Sequence, residues 1–260
     1  MDTREFANPD CSKCSGKGIV EIGPLLSDRR ICNCVLLNQR LSAAQIMLQT
    51  VLPKRALEMT FSSFDTGGIA QNERALELAR SFVDNYPRAA EEGWVIGFYG
   101  EPRSGKTHLA VATLQKATKR YSIRPQLLNL PLALKVERER FNNSAIESPF
   151  SAAARADLLV IDDLGAEYER QAAARGNVSW LSEQLYELLE ARFMEERPTI
   201  YTTNLSPSDM AKKYSNEAWK RVFARLDDAE VASVELLRNP GLKSARAEAA
   251  RDRLFGVSLS

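Results

Sequence analysis

The sequence has almost no histidine, almost no net charge and no long apolar run. One histidine in 260 residues is poor evidence for acid–base catalysis by that residue type. The 35 basic and 34 acidic residues leave a formal charge of +1, which argues against a generally basic coat for nucleic acid. Any nucleic-acid contact must therefore come from local patches. No window approaches 18 uninterrupted apolar residues, so we expect no membrane span.

A targeting signal is also missing from the start of the sequence. Residues 1–10 (MDTREFANPD) have neither the basic start nor the apolar stretch of a secretory signal, so we expect a cytoplasmic protein. The remaining composition is ordinary for a packed protein, with 44% hydrophobic and 27% charged residues. The length accommodates one medium domain and one small one.

Cysteine is absent from residues 35–260 and concentrated before them. Cys11 and Cys14 form a C-x-x-C pair, and Cys32 and Cys34 form a C-x-C pair. Four thiolates in two such pairs suit tetrahedral Zn²⁺ in a closed structural site. Disulfides and an iron–sulfur cluster are the alternative interpretations. The pattern predicts a small zinc-binding module over residues 1–36.

The chain then changes from this module to helical and loop patterns. Residues 36–52 have apolar residues at helical spacing, and Pro53 stops that helix. Residues 60–68 (TFSSFDTGG) are typical of a loop, and residues 72–85 of a helix.

From residue 94 onward, short apolar runs alternate with helical patterns. Runs that are apolar on both sides are typical of strands in a parallel sheet that helices cover on both faces. We expect strands over 94–99, 125–130, 158–163, 198–204 and 231–237. We expect helices over 107–121, 131–141, 181–196, 207–214 and 216–226. The pattern predicts a doubly wound α/β fold.

A phosphate-loop motif lies between the first strand and the first helix of this series. The pattern G-x-x-x-x-G-K-[ST] is matched by Gly100, Glu101, Pro102, Arg103, Ser104, Gly105, Lys106 and Thr107. Backbone N–H groups and the positive end of the helix cradle phosphate oxygens in such a loop. We expect Lys106 to reach the β- and γ-phosphates and the Thr107 hydroxyl to ligate Mg²⁺. His108 follows and is included among the candidate nucleotide contacts, although a lone histidine in a helix ordinarily packs or faces solvent.

Polar residues lie at the ends of the predicted strands 158–163 and 198–204, which we expect near this loop. Asp162 and Asp163 follow the apolar run LLVI. Asp162 is the candidate Mg²⁺ ligand, and Asp163 is the candidate group that polarises the attacking water. A helix N-cap pair is the alternative interpretation of these acids. Asn204 ends the following strand, where a turn-forming asparagine is an equal alternative to a nucleotide contact.

With these motifs, the chain resembles the bacterial and phage replicative-helicase loaders of the DnaC/DnaI type, which are AAA+ ATPases. It is also similar to the related IstB transposition ATPases. The resemblance is carried by TFSSFD (60–65), GEPRSGKTHLA (100–110), ADLLVIDDLGAE (156–167), EQLYELLEARF (183–193) and PTIYTTNLSP (198–207). It implies a zinc knuckle over 1–36, a linker helix over 37–54, an AAA+ domain over 55–246 and a tail helix over 247–260.

The resemblance also implies roles for residues outside the two nucleotide motifs. Asn204 takes the sensor-1 position. Arg225, in RVFARLDD, matches the arginine finger that reaches the γ-phosphate of a neighbouring subunit, with Arg221 one turn earlier. Arg246, in GLKSAR, takes the sensor-2 position. Asp163 stands where many AAA+ proteins have glutamate, and its shorter reach implies slow hydrolysis.

The function implied by the resemblance is loading of the replicative DNA helicase onto single-stranded DNA during DNA replication. ATP, Mg²⁺ and Zn²⁺ are the implied ligands, and subunits are expected to assemble through ATP-bridged interfaces. Hydrolysis is expected to be slow and stimulated by DNA or by the partner. The alternatives are an IstB-like helper of a transposase, a P-loop kinase for a small molecule, and a zinc-dependent regulatory module with a structural nucleotide. The position of Arg225 and the TTN strand end argue against the kinase.

Overall fold

The computed structural model describes residues 6–23, 28–140, 147–165, 178–213, 220, 222, 224, 226 and 230–239. Within these residues, no helix combines the length and the apolar character that crossing a membrane requires.

A five-stranded parallel sheet forms the centre of the molecule. Its strands are β3 (Val95–Gly100), β4 (Pro125–Asn129), β5 (Leu158–Leu164), β6 (Thr199–Thr203) and β7 (Glu230–Leu236). They lie in the order β4-β5-β6-β3-β7, and each neighbouring pair is parallel. The predicted α/β fold is therefore confirmed, and every predicted strand is present within about two residues of its expected bounds.

Nine helices have both ends within the described parts of the chain, and residues 220, 222, 224 and 226 are also helical. The nine are α1 (Asn33–Val51), α2 (Lys54–Leu57), α3 (Ala70–Asp84), α4 (Tyr86–Glu92), α5 (Lys106–Tyr121), α6 (Leu130–Arg140), α7 (Pro149–Arg155), α8 (Val178–Met194) and α9 (Pro207–Lys213). The sequence pattern did not predict α2, α4 and α7. These helices have at most seven residues, which is too short for a 3.6-residue periodicity to be visible. Most of the predicted helix over 216–226 lies outside the described residues.

Helices cover both faces of the sheet and form one apolar core on each. Strand β5 contributes to both cores, because successive side chains of a strand point to opposite faces. Leu158 and Val160 pack with α1, α3 and α5, while Leu159 and Ile161 pack with α6, α7 and α8. This burial on both sides explains why the strands read as continuous apolar runs.

The described residues that precede α1 form a small module, which comes before the sheet domain in the sequence. Strands β1 (Ile19–Glu21) and β2 (Arg29–Ile31) pair antiparallel, and α1 follows directly. The module has a small apolar cluster around Cys14, Cys32 and Val35. Further along α1, Leu48 packs into the core beside α5, which connects the module to the sheet domain.

Candidate nucleotide-binding site and cysteine cluster

The predicted phosphate loop connects the end of β3 at Gly100 to the start of α5 at Lys106. Two glycines adopt left-handed φ angles, +131° at Gly100 and +101° at Gly105. A Cβ at Gly100 would lie 2.2 Å from the Leu236 carbonyl oxygen, and a Cβ at Gly105 would lie 2.8 Å from Phe64. Both positions therefore require glycine, for the backbone angle and for space.

Lys106 is buried inside the curve of this loop. Its ammonium group donates hydrogen bonds to the carbonyl oxygens of Gly100 (2.9 Å) and Glu101 (2.7 Å). Desolvation lowers the pKa of Lys106, while the charges of Asp163 and Asp162 oppose that shift. The loop thus places the positive charge of Lys106 at the start of α5. The positive end of the helix dipole lies there too, so both attract an anion such as a phosphate group.

Asp162 lies beside the loop, buried at the end of β5. Three side chains donate hydrogen bonds to it: the hydroxyls of Thr107 (2.7 Å) and Thr202 (2.8 Å) to Oδ1, and the Asn129 amide (3.2 Å) to Oδ2. The donors come from α5, β6 and β4, so the carboxylate is oriented from three elements. Its oxygen and the Thr107 hydroxyl together offer the hard ligands that Mg²⁺ prefers.

Asp163 follows with a left-handed φ of +61°, which is uncommon for a residue with a side chain. Its backbone N–H donates to the Thr202 hydroxyl (3.0 Å), which in turn donates to Asp162. Asp163 lines the cleft that opens over the loop, whereas Asp162 is not among the lining residues. Asn204, exposed after β6, lines the same cleft.

A cleft of about 690 Å³ opens over the loop. Its lining includes the predicted residues Pro102, Arg103, Gly105, Lys106, Thr107, His108, Asp163 and Asn204. It also includes Arg55, Met59, Arg238 and Asn239, which the motifs did not identify. Asn129 lies near the end of the predicted strand 125–130, and Arg238 and Asn239 directly follow the predicted strand 231–237. The rule that polar strand ends meet at one edge of a sheet would therefore have marked them as candidates.

The segment 56–65, which overlaps the predicted loop over 60–68, is bound closely to α5. The Gln115 amide donates to the carbonyl oxygens of Ala56 (3.0 Å) and Met59 (2.7 Å). His108 Nε2 lies 2.9 Å from the Thr60 carbonyl oxygen, and its ring meets Phe64 edge-on at 5.4 Å. His108 therefore packs against this segment, as expected for a lone helical histidine, while it also lines the cleft.

The four cysteines lie close together in the N-terminal module. The Sγ atoms of Cys11 and Cys32 are 3.7 Å apart, those of Cys14 and Cys34 are 3.5 Å apart, and all four lie within 4.8 Å of one another. Zn–S bonds of about 2.3 Å in a tetrahedron place the sulfurs about 3.8 Å apart. The donor set and its spacing therefore fit a zinc ion.

The electrostatics of this cluster also fit a cation. Hydrogen bonds from the backbone of Lys13 and Cys14 lower the pKa of the Cys11 thiol to about 6. The backbone of Asn8 acts in the same direction on Cys34, but desolvation and the neighbouring sulfurs raise the pKa of that thiol to about 12. Neighbouring thiolates repel one another, so a divalent cation is needed for all four to ionise near neutral pH.

Two residues assigned through the family resemblance, Arg225 and Arg246, lie outside the described residues, as does Arg221.

Solved structures with the same fold include replication proteins. The crystal structure of the DnaC helicase loader superimposes with a TM-score of 0.57 at 25% identity, covering 71% of this chain and all of that chain. A putative primosome component from Streptococcus pyogenes serotype M3 gives 0.58 at 26% identity, covering 75% and 96%. DnaI gives 0.55 at 21% identity, covering 72% and 92%, which supports the fold alone.

Curated relatives come from Bacillus subtilis (strain 168). The uncharacterized protein YqaM is 25% identical over 177 residues, which cover 67% of this chain and 54% of YqaM. The phage-like element PBSX protein XkdC is 24% identical over 151 residues, covering 57% and 55%. The chain thus matches about half the length of these relatives.

The family comparison agrees with the geometry of the phosphate loop and Asp162. Residues 48–236, well over half of the chain, match the family described as IstB-like ATP binding protein. The resemblance to DnaC-type AAA+ proteins is confirmed by the solved structures. This chain belongs to the family of IstB-like ATP-binding proteins.

Proposed function

We propose that this protein is an ATPase that loads the replicative DNA helicase onto single-stranded DNA. The observation that carries the proposal is the match to the DnaC helicase loader, which covers the whole of that chain. The family match over residues 48–236 includes the phosphate loop and Asp162. The cysteine module in front of the ATPase fold favours this function over the IstB-like role of assisting a transposase. The replicative helicase, DNA and a second copy of the chain are the proposed partners.

The site residues have distinct proposed roles in ATP hydrolysis. Lys106 and the loop N–H groups bind the β- and γ-phosphates. Thr107 and Asp162 hold Mg²⁺, which neutralises phosphate charge when bound. Asp163 orients the attacking water, and Asn204 contacts the γ-phosphate end of the cleft. We propose that Arg225 acts on the nucleotide of a neighbouring subunit, and that Arg246 acts on its own.

The N-terminal module offers a surface for a protein partner. Seven large apolar side chains are exposed on the hairpin and on α1. They are Ile19, Ile22, Ile31, Leu36, Leu37, Leu41 and Ile46. Exposed apolar side chains that lie together on a protein surface often mark a site of interaction with another protein. We propose that the helicase binds here, while the ATPase domain binds ATP and DNA.

Nucleotide-dependent DNA binding is the first test of this proposal. We expect ATP to strengthen binding of single-stranded DNA and ADP to weaken it, because a chain of charge +1 holds DNA through a basic lining built by ATP-bridged subunits. Affinity should fall steeply with salt. The measurement is fluorescence anisotropy of a labelled oligonucleotide with ATP, ADP or no nucleotide. Equal binding in all three states would contradict the loader mechanism.

Helicase capture tests the same proposal through the module. Leu37→Asp should abolish capture of the replicative helicase from the native host, because Leu37 is an exposed apolar residue of α1. Gln49→Asp, at an exposed polar position of the same helix, is the matched control. Capture of a transposase instead of the helicase would support the alternative function.

We also propose that Cys11, Cys14, Cys32 and Cys34 hold one structural Zn²⁺. Elemental analysis should find about one zinc per chain. Chelation should unfold the module and spare ATP binding, because metal binding and folding are one event in so small a unit. Cys14→Ser should lose the metal, whereas Ser12→Ala, at an exposed position between two ligands, should keep it. Iron with visible absorbance, or no metal after anaerobic purification, would contradict the assignment.

A further inference from the structure

The segment after β7 brings into the nucleotide cleft an arginine that no motif accounts for. Arg238 is exposed and lines the cleft together with Lys106 and Thr107. Among the residues that the structure describes, none forms an ion pair or side-chain hydrogen bond with Arg238. Its guanidinium group therefore has its donors available for a ligand in the cleft.

Both neighbours of Arg238 are anchored by side chains from distant parts of the chain. The backbone N–H of Leu237 donates to Asn72 Oδ1 (2.9 Å), and the Asn72 amide donates back to the Leu237 carbonyl oxygen (3.0 Å). On the other side, the Asn239 amide donates to Asp65 Oδ2 (3.1 Å). Arg238 is thus held between two fixed points.

Asn72 is the more informative of the two anchors. It lies on α3 with 1% of its surface exposed, among apolar core residues such as Ala75 and Ala79. The Asn72 amide also donates a hydrogen bond to the Thr66 carbonyl oxygen (3.1 Å). A buried amide is tolerated in such a place when its donors and acceptor are satisfied, and here all of them serve to tie the 237–239 segment to residue 66.

The charges in the cleft favour an anionic ligand. Among the described residues that line it, Arg55, Arg103, Lys106 and Arg238 carry positive charge and Asp163 alone carries a carboxylate. A guanidinium group presents a fork of donors that matches two phosphate oxygens at once. Because its neighbours are anchored on both sides, Arg238 meets such a ligand with little loss of backbone freedom.

We propose that Arg238 binds a phosphate group of the nucleotide in its own subunit, and that Asn72 is a positioning residue that holds the 237–239 segment at the cleft. The proposal rests on ATP binding in this cleft. It differs from the role assigned to Arg225, because Arg238 acts within one subunit and needs no neighbour.

The test is titration of the full chain with fluorescently labelled ATP, at concentrations where subunits do not assemble. Arg238→Ala should weaken binding by about tenfold to a hundredfold, the range for a lost hydrogen bond to a charged group. Arg238→Lys should recover part of the affinity by keeping the charge. Arg74→Ala, which removes an exposed arginine away from the cleft, should bind ATP like the wild type.

Asn72 is tested through a double-mutant cycle. Asn72→Ala should weaken binding several-fold in the wild-type background and cause little further loss in the Arg238→Ala background, because it acts through Arg238. The matched control is Asn85→Ala, which removes an exposed amide that donates to the Ser81 carbonyl oxygen of α3. Thermal unfolding shows whether each variant is folded.

The outcomes separate this inference from the proposed function. Wild-type affinity in Arg238→Ala would overturn the inference, and this surface variant decides the matter even if Asn72→Ala fails to fold. Additive losses in the double mutant would overturn the role of Asn72. A wild-type chain that binds no ATP at all would instead contradict the proposed function.

Discussion

Lys106→Ala should lower ATP affinity by about a hundredfold or more while the fold stays intact. The buried ammonium group of Lys106 lies at the start of α5, and its hydrogen bonds to carbonyl oxygens hold it inside the loop. Phosphate oxygens that enter the loop would accept hydrogen bonds from the same ammonium group. Hydrogen bonds to charged groups contribute about 1.5–3 kcal/mol each, and two phosphate groups are involved. The measurement is titration with labelled nucleotide in the presence of Mg²⁺.

Two further variants make the Lys106 result specific. Lys116→Ala removes an exposed lysine from the same helix and should bind ATP normally. Lys106→Met keeps most of the side-chain volume and should lose as much affinity as Lys106→Ala. Circular dichroism and thermal unfolding would show that all three are folded. Unchanged affinity in Lys106→Ala would refute the assignment of the phosphate loop.

Arg225→Ala should reduce ATP hydrolysis by about a thousandfold and leave ATP binding nearly unchanged. The reason is that an arginine finger acts on charge that develops in the transition state of the neighbouring subunit. Its position rests on the resemblance of RVFARLDD to the family pattern. The measurements are steady-state phosphate release and nucleotide affinity. Lys220→Ala removes an exposed cation five residues earlier and should hydrolyse ATP normally.

Complementation between subunits distinguishes this role from a contact within one subunit. Mixing Arg225→Ala with Asp163→Asn should restore part of the activity, because some interfaces then combine an intact arginine with an intact acid. A variant that loses ATP affinity as a monomer would place Arg225 at its own nucleotide and refute the interface. That result would resemble the behaviour expected of Arg238→Ala.

The two sites differ in how much of them could be predicted from the sequence. The phosphate loop lies within eight consecutive residues, so its pattern carries both the chemistry and the strand-to-helix context. The two cysteine pairs carry the donor set in the same way. In contrast, Asn129 contacts Asp162 across 33 positions, and Asn72 contacts Leu237 across 165. Such pairs leave no local spacing to detect.

The sequence also failed to predict the short helices and the contacts of the segment 56–65, for a related reason. Helices α4 and α7 have seven residues each, so packing rather than periodicity decides them. TFSSFD has the composition of a loop, yet His108 contacts its Thr60 carbonyl oxygen and Gln115 bonds the carbonyl oxygen of the preceding Met59, so the segment is held against α5 through backbone carbonyl groups. Carbonyl groups are the same in every residue, so the sequence of the segment does not show that it is bound.

The sequence by itself determined the parts of this protein in which neighbouring residues carry the information. These are the alternating strands and helices, the phosphate loop, the acids after LLVI and the two cysteine pairs. The tertiary structure decided which side chains orient Asp162, that Asp163 lines the cleft, and that Arg238 and Asn239 enter it. The physical reason is that parallel strands bring their carboxyl ends to one edge, so residues far apart in the chain meet there once the sheet has formed.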